Sequence, residues 1–183
     1  MKRKLECAKI LIRKGEITRK EVKVYEMNLQ DYFSKVETSK FAVLQEFINT
    51  HPYKTTLCDD KKIEYIKCGC GENVLVFLHG AMLEPYMWFY VINELESEFQ
   101  ILAPRFPATG IGANAANEII NAILDEEHIE KATIIGYSFG GGLAQYYGEC
   151  YPQRIKKLVL SHTGLLRKKG DLDRIEKIIP KLK

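Results

Sequence analysis

From residue 74 onward short apolar runs alternate with stretches of helical periodicity, and this alternation restricts the folds open to the chain. Val74-Leu75-Val76-Phe77-Leu78 runs without a polar break, as a strand buried on both faces requires. A helical pattern follows around Pro85 to Glu96, then a strand at Gln100 to Ala103, a helix at Ala115 to Glu127 and a strand at Ala132 to Ile135. A helix from Gly140 to Cys150 and a strand at Lys157 to Leu160 complete the series. Parallel strands cannot be joined by tight hairpins, so crossover helices between buried strands predict an α/β fold with a mostly parallel sheet. Upstream, β-prone runs at Thr55 to Cys58 and Lys62 to Lys67 flank Asp59-Asp60, a turn-forming pair, which predicts an antiparallel hairpin.

The first fifty residues have a different texture. Leu5, Ala8, Leu11 and Ile12 share one helical face ahead of Gly15, a C-terminal stop. Thr18 and Glu21 form a capping box before Val22, Tyr25, Leu29, Tyr32 or Phe33, and Val36. A third helix carries Phe41, Leu44 and Ile48, joined by Val43 and Phe47, and ends at His51-Pro52, because the residue before a proline is pushed out of helical geometry. The expected organisation is a helical appendage over 1–50, a sheet-forming domain over 51–164, and a charged continuation over 165–183.

Composition mainly excludes. Apolar residues make up 46% and charged residues 28%, the balance of a soluble globular chain. The net charge of +3 is spread over both ends without interleaved aromatics, so nucleic-acid binding is not expected. Met1-Lys2-Arg3-Lys4 resembles the start of a secretory signal, but Glu6, Lys9, Arg13 and Lys14 interrupt the apolar segment that should follow. No run approaches the roughly 20 apolar residues of a membrane span. Five cysteines, an odd number, read as reduced thiols in a cytoplasmic protein. Cys68-Gly69-Cys70-Gly71 lacks a matching cluster at zinc spacing, so neither metal nor cofactor is expected.

The chemistry centres on Gly136-Tyr137-Ser138-Phe139-Gly140, a G-x-S-x-G pattern lying between a predicted strand and a predicted helix. A serine between glycines can be a plain loop; this placement selects a sharper geometry. A tight strand-to-helix turn strains the serine backbone and brings neighbouring backbone close, which only Gly136 and Gly140 accommodate. The Ser138 hydroxyl then projects beside the start of the next helix, whose free N–H groups favour developing negative charge.

With these marks in place, the segment from about Tyr53 to Leu165 resembles the α/β-hydrolase family, and more loosely its maspardin-like branch. The marks are His79-Gly80 after the first buried strand, Trp88 in the following helix, Pro104-x-x-Pro107 with Gly110 and Gly112, the Ser138 turn, and Tyr151-Pro152-Gln153-Arg154-Ile155. The resemblance implies that residues 51–164 are the N-terminal half of the hydrolase domain and that 165–183 begin a cap or a truncated continuation. It implies Ser138 as nucleophile, the backbone N–H groups of Ala81 and Phe139 as an oxyanion hole, and His79, Gly80, Gly136 and Gly140 as loop-shaping residues. The segment Arg105-Phe106-Pro107-Ala108-Thr109-Gly110 departs from the commoner family form in having no acidic residue.

A serine hydroxyl needs a base, and the base needs a carboxylate to orient it. In this family those partners follow the serine, the histidine after the last strand. Only His162 follows Ser138, at the end of the next strand and too early for that role; it reads with Asp171 and Asp173 as a structural or cap residue. The expected function is a serine hydrolase of a small ester, thioester or amide, represented by an incomplete catalytic domain. The alternative is a non-catalytic interaction protein that keeps the turn as architecture and engages a protein partner through its N-terminal helices.

Overall fold

The computed structural model describes residues 38–107 and 111–165. The contacts within the chain separate residues 1–43, with Lys183, from a larger unit Leu44–Leu182. The helices expected over residues 5–14 and 18–36 lie outside the described residues, as does the continuation after 165. Helix α1 (Thr38–Thr50) ends where the His51-Pro52 pair predicts.

Strands β1 (Lys54–Cys58) and β2 (Lys61–Cys68) form the expected hairpin, paired antiparallel from Lys54 opposite Tyr65 to Cys58 opposite Lys61. Its turn is Asp59-Asp60, both at positive φ, 48° and 61°. Aspartate tolerates that conformation better than most residues. β3 (Val74–Leu78) is buried along its whole length. A 3-10 turn at Pro85–Trp88 leads into α2 (Phe89–Leu95) and β4 (Gln100–Pro104). Then come α3 (Ala113–Glu126), β5 (Ala132–Tyr137), α4 (Phe139–Cys150) and β6 (Ile155–Ser161).

The six strands lie in the order β1-β2-β4-β3-β5-β6. β2 pairs antiparallel with β4, whereas β4, β3, β5 and β6 run parallel. Because side chains alternate across a strand, β3 divides its residues between two layers. Val74, Val76 and Leu78 pack with Ile120, Ile123 and Leu124 of α3 and Leu143, Ala144 and Tyr147 of α4. Leu75 and Phe77 pack on the other face with Trp88, Ile92 and Phe47. Phe47, read from the sequence within the helical appendage, is therefore part of the sheet's core, 1% exposed.

This double cover explains the unbroken apolar run of β3, since neither face meets water. Each fully buried Leu, Ile or Phe contributes roughly 1.5–3 kcal/mol of hydrophobic stabilisation before ordering costs. On β6, by contrast, the consecutive Leu158 and Val159 are 40% and 45% exposed.

Candidate active site

The parallel register brings Leu78 beside Gly136 and Tyr137 beside Ser161, so β3, β5 and β6 end together. Ser138 follows β5 directly and precedes α4, with φ 51° and ψ −116°, and it is exposed. A non-glycine residue at positive φ is strained by about 1–3 kcal/mol and persists only where its surroundings over-determine it.

Those surroundings are close. A Cβ on Gly136 would lie 2.4 Å from the Gly140 carbonyl oxygen and 2.6 Å from the Gly141 Cα. One on Gly140 would lie 2.3 Å from the Leu78 oxygen and 2.6 Å from the His79 oxygen. These are backbone atoms that cannot swing away, so both positions require glycine, and α4 starts in direct contact with the end of β3. Hydrogen bonds fix the turn from the β6 side. The Ser138 N–H donates to the Ser161 carbonyl at 3.0 Å, and the Thr163 hydroxyl donates to the Ser138 carbonyl at 2.8 Å.

The loop after β3 lies against this turn: a Cβ on Gly80 would sit 3.2 Å from the Tyr137 ring. Ala81 is half-buried and packs on the α3–α4 core layer, and Met82, next along, has φ 61° and is exposed. Phe139, the first residue of α4, is buried in the same layer as Ala81.

His79 is 3% exposed and both its ring nitrogens are committed. Nε2 accepts the Phe106 N–H at 3.0 Å, which places the ring proton on Nδ1, where it donates to the Gly80 carbonyl at 2.8 Å. Burial holds its pKa below the ordinary histidine value. A neutral ring spent on two backbone groups joins the loop after β3 to the loop after β4 and has no capacity left for proton transfer. His162 is exposed, at φ 49°, with Nδ1 2.9 Å from the Ser161 hydroxyl and its ring 5.6 Å from that of Tyr137.

A polar cluster that no sequence motif marks lies beside the site. Arg105 donates to Glu84 through Nε at 2.7 Å and Nη2 at 3.0 Å, and to Glu64 through Nη1 at 2.6 Å. Tyr53 donates its hydroxyl to Glu84 at 3.1 Å and carries the guanidinium 5.2 Å above its ring centre. Burial raises the Glu84 pKa, but the hydrogen bonds and charge of Arg105 outweigh it and leave the carboxyl below its usual value. Arg105 opens the 105–110 segment, which carries no acidic residue. Here a cation ties that segment to Glu84, at the far end of the loop from His79. The signal available beforehand was the loss of the acid, not the partner that a base at this position would find.

A strained serine between glycines at the C-terminal edge of a parallel sheet, behind a loop pinned by a buried histidine, defines a class of protein. The sequence model of the alpha/beta hydrolase fold matches residues 73–182, and the chain belongs to that family. It is 27% identical over 124 residues to epoxide hydrolase 4 of Mus musculus, covering 62% of this chain and 34% of that protein. It is 28% identical over 103 residues to the pimeloyl-[acyl-carrier protein] methyl ester esterase of Yersinia enterocolitica, covering 54% of this chain and 40% of the esterase. The solved meta-cleavage product hydrolase of Pseudomonas fluorescens superposes with a TM-score of 0.56 at 26% identity, over 63% of this chain and 47% of that one. The chain thus spans between about a third and two fifths of the length of these curated relatives. Among the described residues no helix is long and apolar enough to cross a membrane.

Proposed function

We propose that this chain carries the nucleophile half of a serine hydrolase that transfers the acyl group of a small ester, thioester or amide to water. The observation that carries the reading is Ser138 at φ 51°, exposed at the strand-to-helix turn and hemmed by glycines that admit no side chain. A serine so placed attacks a carbonyl brought to the sheet edge, and the N–H groups of Ala81 and Phe139 receive the oxyanion. Such a donor is worth about 3 kcal/mol of transition-state stabilisation. The enzymatic character of the relatives supports the reaction class.

The proton of Ser138 has to go to a base for attack to proceed. His79 has no free nitrogen, and His162 turns Nδ1 to Ser161. The hydrogen bonds of the described residues set neither ring against the Ser138 hydroxyl, so slow turnover is the expectation for the purified chain. The purified chain should hydrolyse an activated short-chain ester no faster than Ser138→Ala. Added imidazole, which supplies a base, should raise turnover more in the wild type than in Ser138→Ala. Equal increments in the two proteins would refute Ser138 as nucleophile and favour the non-catalytic alternative. Robust turnover without imidazole, abolished by both Ser138→Ala and His162→Ala, would instead make His162 the base.

A further inference from the structure

We propose that His51, Cys68 and Glu96 bind one zinc ion at the edge of the sheet opposite Ser138, where it staples three segments together. The proposal is independent of the hydrolase reading. Cys68 ends β2 opposite Ile101, which aligns with Leu75 of β3 and through it with Thr133 of β5. Thr133 precedes Ser138 by five residues of strand and turn, roughly 16 Å at strand rise, so an ion here does not touch the reacting atoms.

A ring nitrogen of His51, the Cys68 Sγ and a Glu96 carboxylate oxygen all lie within 4.8 Å of one another. Donor atoms around a tetrahedral zinc, with bonds of about 2.0–2.3 Å, stand roughly 3.3–3.6 Å apart. Closing the set needs only small side-chain rotations. Nitrogen, sulfur and carboxylate oxygen are together a zinc donor set, with water in the fourth position.

The backbone fixes this convergence. Gly69 is at φ 72°, and a Cβ there would lie 2.0 Å from the Phe99 carbonyl oxygen and 2.7 Å from that of Glu96. A Cβ on Gly71 would lie 1.9 Å from the Glu98 oxygen. The Cys68–Gly71 loop is thus pressed directly on the turn after α2, and that contact sets the thiol beside Glu96. His51 is buried, stacked on Phe47 at 3.9 Å, with Nδ1 3.1 Å from the Phe47 carbonyl and 2.9 Å from the Thr50 hydroxyl. A backbone carbonyl on Nδ1 holds the proton there and leaves the Nε2 lone pair as the ligand, the arrangement that usually backs a metal-bound histidine. In that tautomer Nε2 and the Glu96 oxygen, 2.8 Å apart, are both acceptors, and a shared cation resolves their repulsion. The rival arrangement is a doubly protonated His51 paired with Glu96 and a neutral thiol beside them. On binding, Cys68 releases its proton to solvent and its sulfur bonds the metal.

The test uses the full chain, stripped with chelator and then titrated with zinc chloride or cobalt chloride. One zinc per chain is expected, with a thiolate-to-cobalt charge-transfer band in the cobalt form. Cys68→Ser should abolish that band, and His51→Gln and Glu96→Gln should weaken zinc binding by more than about tenfold. Cys58→Ser and Cys150→Ser should leave both unchanged. If a variant does not fold, the wild type decides: zinc should slow alkylation of Cys68 relative to Cys58 in peptide mass spectrometry. Equal alkylation rates with and without zinc, or zinc binding that all three ligand variants retain, would overturn the site and leave His51–Glu96 as an ion pair.

Discussion

The substitution Glu127→Gln tests the electrostatics that hold the hairpin to the parallel part of the sheet. Glu127 caps the C-terminus of α3, and its carboxylate is 3% exposed. It accepts the Lys54 ammonium at 2.8 Å and the Tyr65 hydroxyl at 2.6 Å on one oxygen, and the Lys67 ammonium on the other. Burial raises the Glu127 pKa, but these three donors together outweigh it and bring the pKa down to about 2 from the ordinary 4.5. At about 1.36 kcal/mol per unit, that difference is worth roughly 3 kcal/mol of folding stability at neutral pH. Lys54 and Lys67 are 42% and 37% exposed. Solvent screening of these exposed partners lowers the figure to roughly 2 kcal/mol. For a chain of this size that is a fall of roughly 4–8 °C in Tm.

The pH dependence carries the sharper prediction. A carboxylate whose folded pKa lies below its unfolded value contributes fully above the unfolded pKa, and the contribution is lost as pH falls through the folded one. The stability gap between wild type and Glu127→Gln should therefore be constant from pH 7 to about pH 5. It should shrink below that, with more than half gone by about pH 3. Other carboxylates titrate alike in both proteins and cancel in the difference, which urea denaturation midpoints at pH 7, 5, 4 and 3 would measure. A gap that stays the same down to pH 3 would refute the charge argument and reduce Glu127 to a packing residue.

Two further substitutions probe the site's frame. Gly140→Ala drives a methyl into the Leu78 and His79 carbonyls and should cost about 1–3 kcal/mol or more, read as a lower denaturation midpoint, together with loss of any imidazole-dependent turnover. A variant as stable as wild type would mean that α4 does not start against β3. Arg105→Gln leaves Glu84 and Glu64 without their cation; since all three are about a third or more exposed, the expected cost is only about 1 kcal/mol, or roughly 2–4 °C in Tm. The same substitution should raise the proteolytic sensitivity of the segment between His79 and Glu84, and unchanged cleavage there would count against Arg105 as its anchor.

How much of this was legible in the sequence depended on whether the deciding interaction was local. Val74–Leu78 announced a strand covered on both faces because double burial tolerates no polar residue, and β3 occupies those same residues. Asp59-Asp60 announced its turn because the conformation is a property of those two residues. The flanks of Ser138 were legible for the same reason, and its φ is positive. Helix α2 was less clear, since Pro85–Trp88 winds as a 3-10 turn before α-helical geometry begins at Phe89. Periodicity identified an apolar face on α1 but not what covers it, which is why the place of Phe47 in the core could not be read. The Arg105 cluster and the convergence of His51, Cys68 and Glu96 join segments far apart in sequence. Their proximity comes from the β2–β4 pairing and from backbone contacts at Gly69 and Gly71, which no spacing rule encodes.

The two ends of the sheet divide the work in a way that follows from the strand directions. At the C-terminal edge, backbone contacts among Leu78, His79, Gly136 and Gly140 hold Ser138 in a conformation that an isolated chain would leave at once. That strain is sustained only while β3 and β5 keep their register, because a one-residue slip would separate Gly140 from the Leu78 carbonyl and reverse the faces of every side chain. Register is in turn fixed by the two-layer core, in which Val76 and Phe77 commit β3 to opposite faces. At the N-terminal edge, β2 and the turn before β4 meet through glycines, and His51 closes the same corner from α1. Tightening that corner would resist fraying of β2 from β4, the strand that pairs with β3, and so would preserve the register on which the serine's geometry depends.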